Sequence, residues 1–485
     1  MSMCKNFILI YPPIYPRESF SSYMPGTLIV PLGGLYLADA LIKNGYSIAI
    51  IDYETIEDTI RKIDFLIGTE TIAFGISSLS GTQLSNGLAI ARHLREHYRK
   101  IPIIWGGAHA TAIPRQTLEN EFVDFIVWGE GEGSIVGLLD CIKTGKKPEQ
   151  IKGIGYKNNG VGVITDKSDY THLKETFELP YYLLDMNKYA RKMNIGLDKC
   201  HTVLTSRGCP FRCKFCSNSS SIWPNTKMRY HSIKHIIKEI ALLINNYGAD
   251  GITFGDENFF VEEKRIVSIC EALVAENFKI KYRAGGRADL LSRLKSSTWD
   301  LLKKTGFVGI SVGIETGSQR MLDFMGKGIT LEQIFKVDSL LTEYSFFKTY
   351  NFLTCLPTET VDDIKMTLKL IIDLAKNSLY CPFPFGTLSK FIPLPGTEMC
   401  DIAKKHGFIP PNSMQGWTIF DFKEISEMHN ITRPWISKEI INFLSHANRL
   451  IEELNALFIG RDINRADVLR KIEEISKLIA LKNGA

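Results

Sequence analysis

The chain is predicted to be α/β, with a doubly wound parallel sheet at the amino terminus, a partial (β/α)6 barrel after it and a helical region at the end. Three observations predict this. Apolar runs of strand length alternate with segments of helical period over residues 6–144. The same alternation restarts near residue 201 and passes through six more strand-like runs by residue 392. Beyond residue 400 come long Lys- and Glu-rich segments whose apolar positions recur at helical spacing. The boundaries drawn from these changes are 1–150, 151–200, 201–400 and 401–485.

In the first domain, strands are expected at 7–11, 47–52, 72–76, 101–105 and 125–128, runs dominated by Ile, Val and Phe. Helices are expected at 35–44, stopped by Gly45, and at 83–98, stopped before Pro102. Ligands of such sheets gather at the carboxyl ends of the strands. Here those ends carry Ser77, Ser78, Leu79, Ser80, Gly81 and Thr82, then Gly106 and Gly107, then Gly129, Glu130, Gly131 and Glu132. Small residues let the backbone approach a large ligand, although any one glycine also suits a tight strand-to-helix turn. A nicotinamide dinucleotide is disfavoured, because Tyr11-Pro12-Pro13 stands where a G-x-G-x-x-G turn would follow the first strand.

A hairpin over 154–164, turned at Asn158-Asn159-Gly160, opens the connecting segment. Barrel strands are expected at 201–205, 251–255, 280–284, 308–312, 349–353 and 386–392, with helices at 233–247, 263–276, 331–341 and 361–375 among those between and after them. Function in such barrels collects at the carboxyl ends of the strands. Cys209 to Cys216 follow the first strand, Asp256 and Glu257 the second, Arg287 the third and Glu315 the fourth; residues 356–360 and 393–397 follow the last two. Final helices are expected at 436–453 and 466–482, with Trp417 and Phe420 ahead of them read as packing residues.

The most specific signal is Ser206-Arg-Gly-Cys209-Pro-Phe-Arg-Cys213-Lys-Phe-Cys216. Three thiolates within eight residues suit soft metals. A cubane 4Fe-4S cluster takes about four protein sulfurs, so three leave one iron open. A zinc knuckle needs a fourth Cys or His at regular spacing, and Cys200, His201 and His231 fit poorly.

This C-x3-C-x2-C pattern, with Phe215 before its last cysteine, resembles the radical S-adenosylmethionine (SAM) superfamily. The resemblance implies that Cys209, Cys213 and Cys216 hold a 4Fe-4S cluster whose open iron chelates SAM. It also implies that Asp256 or Glu257 takes the SAM amino group, Arg287 pairs with its carboxylate, Glu315 binds its methionine or ribose part, and Phe215 lies near the adenine. The family's Gly-Leu-Pro-Gly-Glu-Thr motif after the fifth strand is altered here, with Cys355 and Thr358 at the two glycine positions. The amino-terminal segment, with Pro31, Leu32, Gly33, the Ser77 to Thr82 loop, Gly106-Gly107 and Gly129-Glu-Gly-Glu132, resembles the cobalamin-binding domain that precedes many radical SAM domains. The D-x-H-x-x-G motif of the histidine-ligated branch is absent, so cobalamin is expected without a protein histidine on cobalt, and His109 is read as structural.

Together these resemblances imply a cobalamin-dependent radical SAM C-methyltransferase. It would move a methyl group from methylcobalamin to an unactivated sp3 carbon after hydrogen abstraction by the 5′-deoxyadenosyl radical. The alternatives are a non-methylating relative that closes or rearranges rings and, less favoured, a cobalamin sensor or carrier. A peptide or protein is the expected substrate and a ferredoxin or flavodoxin the expected electron donor. At 485 residues and 45% hydrophobic the chain has material for several cores. A net charge of +5 is too small to point to nucleic acid. Ten dispersed cysteines without a signal peptide suit a reduced, cytoplasmic protein. No apolar run is long enough to cross a membrane, and a monomer is expected.

Overall fold

In the computed structural model, residues 5–14, 30–173, 177–193, 197–219, 227–378, 388–420, 432–458 and 464–480 are described. They form two units. The first holds the residues up to Ala190 together with a returning segment, 410–420. The second holds the remainder.

In the first unit, β1 (Phe7–Tyr11), β2 (Ile48–Asp52), β3 (Ala73–Ser77), β4 (Ile103–Gly106) and β5 (Phe125–Val127) pair in parallel in the order β2-β1-β3-β4-β5. All five expected strands are present, each within two residues of its expected ends. Phe7, Ile8, Ile10, Phe74, Ile76 and Trp105 are each at most 1% exposed. Strands with this continuous burial are covered on both faces, as parallel sheets are. The helices Leu32–Lys43, Ile56–Leu66, Thr82–His97 and Glu132–Thr144 supply much of that cover. The expected hairpin, β6 (Ile154–Asn158) and β7 (Val161–Ile164), extends this sheet antiparallel beyond β5. Asn159 and Gly160 both take positive φ, 51° and 80°, as a two-residue hairpin turn requires. Strand order reverses between β1 and β3, which makes the carboxyl ends of those two strands the place where a ligand is received.

In the second unit, β8 (Arg191–Met193) borders β9 (Leu197–Val203) antiparallel. The short strands β10 (Ser206–Arg207) and β11 (Arg229–Tyr230) pair with each other. Then follow β12 (Gly251–Phe254), β13 (Lys281–Gly286), β14 (Phe307–Glu315), β15 (Phe347–Thr354) and β16 (Leu388–Lys390). The order β16-β15-β14-β13-β12-β9-β8 contains six parallel strands whose first and last members do not pair, so the barrel is open. Residues 386 and 387 of the expected sixth strand lie outside the described residues.

The helices lie on one face of this sheet. Ile233–Tyr247 has the bounds expected from sequence, because the Ser232 hydroxyl accepts from the His235 N–H at its start and Gly248 ends it at φ 66°. Along β14, Ile310, Val312 and Ile314 are buried, while Ser311, Gly313 and Glu315 alternate with them on the half-open inner face. The helices Lys438–Phe458 and Arg465–Ala480 pack on each other and on Val361–Asn377, an outer helix of the barrel. Residues 481 and 482 of the last expected helix lie outside the described residues. No helix among the described residues is long and apolar enough to cross a membrane.

Candidate functional site

The cysteine loop leaves the carboxyl end of β9 and is held from several sides. Within it, the Cys216 N–H donates to the Cys213 carbonyl at 3.0 Å, and the Ser219 hydroxyl reaches both the Cys213 and Cys216 carbonyls, at 2.6 and 2.8 Å. Lys214 fixes it from outside, donating its N–H to the Met325 carbonyl and accepting from the Met399 N–H, both at 2.9 Å. Cys213 is buried; Cys209 and Cys216 are half-buried. Burial raises the Cys209 and Cys216 thiols, and the neighbouring cysteines raise them further, so the three sulfurs act electrostatically as one group. A soft cationic centre would relieve that repulsion by taking them as thiolates. A cubane takes each cysteine on a different iron. The donor set therefore fits a cluster.

Two cations lean on this loop. Arg287 is 6% exposed. It donates Nη1 to the Cys213 sulfur at 3.3 Å, Nε to Asp289 at 3.0 Å and Nη2 to the Lys327 carbonyl, with its plane 3.6 Å from the Phe211 ring centre. A guanidinium so engaged orients the cluster loop; a SAM carboxylate would have to displace one of these contacts. Lys327 was not singled out from the sequence. Its ammonium pairs with Glu315 at 2.6 Å, lies 5.9 Å from the Phe215 ring centre and draws down the Cys216 thiol. Gly326 and Gly328, at φ 62° and 66°, turn the chain sharply on either side of it. Gly313 leaves room for the pair, since a Cβ there would lie 2.7 Å from Glu315 Oε1 and 2.9 Å from Lys327 Nζ. The Gly-Lys-Gly run was the only signal of this residue in the sequence.

The two adjacent carboxylates after β12 have different environments. Asp256 is buried and accepts from the Thr205 N–H at 2.6 Å, the Thr205 hydroxyl and the Ser206 hydroxyl at 2.8 Å. Burial still holds its carboxyl up at about 6. It ties β12 to the root of the cysteine loop. Glu257 is exposed and close enough for its charge to raise Cys209. Of the two, only Glu257 is open to solvent.

After β15, Cys355 and Thr358 take φ 66° and 68°, the left-handed conformation that glycine adopts without strain. Two side chains thus stand on a turn whose backbone conformation favours glycine. Glu359 secures this turn, accepting from Thr354 Oγ1 at 2.8 Å and the Cys355 N–H at 2.5 Å, and burial pushes its carboxyl up to about 7. Thr358 is exposed. Thr358→Gly should therefore raise stability by about 0.5–1 kcal/mol, the left-handed cost less glycine's greater chain entropy. Urea denaturation of the two proteins checks this, with a lower midpoint for the variant contradicting it.

In the first unit, Tyr11 at the end of β1 lies against Gly33 and Gly34 and hydrogen-bonds the Ser77 side chain. Gln83 and Asn86 fix the residues after β1 by donating to the Pro12 and Pro13 carbonyls, at 3.1 and 2.9 Å. Ser78 donates from both its N–H and its hydroxyl to the Gly106 carbonyl, at 2.9 and 2.7 Å. Gly107, at φ 87°, has no room for a Cβ against the Ser78 backbone. The result is a ledge at the switch point on which Gly33 and Gly107 are exposed, and Ser77, Leu79, Thr82, Gly106, Gly129 and Gly131 half-buried. Pro31, Leu32, Ser78, Ser80 and Gly81 are buried beneath it. Glu130 and Glu132 turn to Thr171, accepting from its N–H at 2.8 Å and its hydroxyl at 3.3 Å. A ledge of glycine, serine and threonine suits the flat approach of a corrin. His109 does not reach it, being 2% exposed, bonded to Ser80 Oγ at 2.9 Å and held neutral by burial at about 4.

The segment 410–420 closes one side of this ledge. Gly81 donates its N–H to the Trp417 carbonyl at 2.9 Å, and its φ of 96° leaves no space for a side chain against the Phe420 carbonyl. Gln116 grips the segment twice, at the Pro411 carbonyl (2.8 Å) and Trp417 Nε1 (2.7 Å). Trp417 and Phe420 stack with ring centres 4.9 Å apart and are packing residues of the first unit.

Residues 203–371 match the Radical SAM superfamily and residues 25–139 match the B12 binding domain. An uncharacterized methyltransferase of Pyrococcus horikoshii is 28% identical over 465 residues, covering 93% of this chain and 94% of its own. The anaerobic magnesium-protoporphyrin IX monomethyl ester cyclase of Cereibacter sphaeroides is 27% identical over 433 residues, covering 84% of this chain and 67% of its own. Among solved structures, the cobalamin-dependent SAM radical enzyme OxsB, with aqua-cobalamin and SAM bound, has the same fold at a TM-score of 0.68 and 18% identity, over 99% of this chain and 76% of that one. With a cysteine triad at the end of the first barrel strand and a small-residue ledge at the switch point of a separate sheet, the chain belongs to the cobalamin-dependent radical SAM enzymes, which use a 4Fe-4S cluster, SAM and cobalamin.

Proposed function

We propose that this enzyme transfers a methyl group to an unactivated sp3 carbon, on a peptide or protein, with electrons from a ferredoxin or flavodoxin. Bound together, the cluster and SAM supply hydrogen abstraction and the corrinoid supplies the methyl group. The chain's own part is to hold and orient them. Cys209, Cys213 and Cys216 take the cluster, while Arg287 and Lys327 set positive charge beside the sulfurs. Glu257 receives the SAM ammonium and Glu315, steadied by Lys327, its methionine or ribose part, with Phe215 at the adenine. Asp256 keeps the loop rooted. The ledge from Gly33 through Ser77, Leu79, Thr82, Gly106, Gly107 and Gly129 takes the corrinoid, with no histidine among the described residues beneath it.

The observation that carries this reading is the pairing, in one chain, of the cysteine loop with the ledge, together with the methyltransferase relative that covers nearly its whole length. The match to a cyclase supports a second reading, ring closure without methyl transfer. Turnover with SAM carrying a CD3 group separates them. The proposed function predicts a product heavier by one labelled methyl, and 5′-deoxyadenosine with no labelled product supports ring closure.

A further inference from the structure

Arg283 is an unexplained cation inside the barrel. It sits on β13 between Tyr282 and Ala284, each 1% exposed, and Tyr282 points to the helix layer, where its hydroxyl meets Thr305 at 2.6 Å. Arg283 therefore points the other way, to the inner face. Its register partners there are Thr253 on β12 and Gly309 on β14, with Thr202 on β9 beyond Thr253. Toward the cluster end, the next inner position is Gly285, where a Cβ would come no nearer than 3.9 Å to any neighbour, so space stands open above the guanidinium.

No anion among the described residues pairs with Arg283. Among the described residues neither a hydrogen bond nor an ion pair reaches it. The charges it senses are Arg191, of its own sign, and the Cys200 thiol. Burial and Arg191 draw its pKa down to about 10. Asp250, the carboxylate that Cys200 senses, is occupied by the Asp198 and Lys199 N–H groups at 2.8 and 2.9 Å. Arg283 is half-buried, and a guanidinium partly withdrawn from water without a counter-ion is costly to a fold. Its planar fork matches a carboxylate or phosphate with two parallel hydrogen bonds.

We propose that the inner face of the barrel at Arg283 binds an oxyanion of the substrate, a carboxylate or a phosphate. This rests on the radical SAM reading of the site, because it gives that reaction its substrate class. Arg283 and Arg287 lie four residues apart on extended chain, roughly 13 Å at about 3.3 Å per residue. A substrate anchored at Arg283 by its anionic end thus extends its carbon skeleton toward the cluster end.

The test is calorimetric titration of the full-length, anaerobically purified protein with inorganic phosphate and, separately, with malonate, at ionic strength fixed by sodium chloride. Wild type should show one saturable site for at least one of them, and the preferred anion distinguishes phosphate from carboxylate. Arg283→Met should weaken that binding by about tenfold or more and Arg283→Lys by less, since charge remains but the fork is lost. Iron content and far-ultraviolet circular dichroism report an intact fold; should the methionine variant fail to fold, the lysine variant is read alone. Binding of neither anion by wild type, or equal binding by wild type and every folded variant, overturns the proposal. SAM cleavage by wild type is measured separately; its absence counts against the proposed function and leaves the anion result standing.

Discussion

Replacing Cys213 with alanine is expected to reduce 5′-deoxyadenosine formation to background while leaving corrinoid uptake unchanged. Cys213 is the buried member of the triad and the one that Arg287 contacts. Its loss removes one of three cluster ligands and leaves Nη1 of a buried guanidinium without its sulfur partner. The ledge is built within the first unit, from residues 30–133 and the segment 410–420. Incubation with SAM and a strong reductant under anaerobic conditions measures the first effect, and cobalt retention after gel filtration the second. Loss of both together would mean that the two units do not bind their cofactors independently.

The largest expected effect on stability lies away from the chemistry. Lys348 and Asp338 form a fully buried ion pair, and the Asp338 carboxylate also accepts from Tyr350 at 2.6 Å and Asn377 at 2.8 Å. Lys348→Met leaves that carboxylate buried without its cation and should cost about 3–5 kcal/mol. Removing both charges, as Lys348→Met with Asp338→Leu, should recover much of the loss, because the desolvation cost of the pair goes with it. Denaturant titration of the single and double variants reads both numbers. Equal destabilisation in the two would show that the loss comes from packing and not from the stranded charge.

Much of this architecture was legible because local and global signals agreed. The helix Ile233–Tyr247 carried a serine cap and a terminal glycine, and the five parallel strands of the first sheet were short apolar runs bounded by turns. The cysteine spacing carried the resemblance to the Radical SAM superfamily, whose model matches residues 203–371. Other features left weaker marks. Asp256 and Glu257 are alike in sequence, and only tertiary contact with Thr205 and Ser206 separates the buried anchor from the exposed acid. Arg287 stands where a ligand's carboxylate was expected to bind, yet its donors go to Cys213, Asp289 and Lys327. Nothing periodic marks residues 410–420 as belonging with the first unit, since their hydrogen-bonded attachment runs through one bond at Gly81 and two at Gln116. At Cys355 and Thr358, where the sequence departs from glycine, the backbone still takes positive φ, and Glu359 and the Trp435 Nε1 bond to the Cys355 carbonyl hold the turn in place.

The central claim is that one chain carries both an iron–sulfur cluster and a corrinoid. Cobalt, iron and sulfide analysis of the anaerobically purified protein, with Mössbauer and ultraviolet–visible spectra of the same sample, tests it most directly. One corrinoid and one 4Fe-4S cluster per chain is the predicted result. Iron and sulfide retained without bound cobalamin would contradict the account of the first unit, and a colourless, zinc-loaded protein would contradict that of the second.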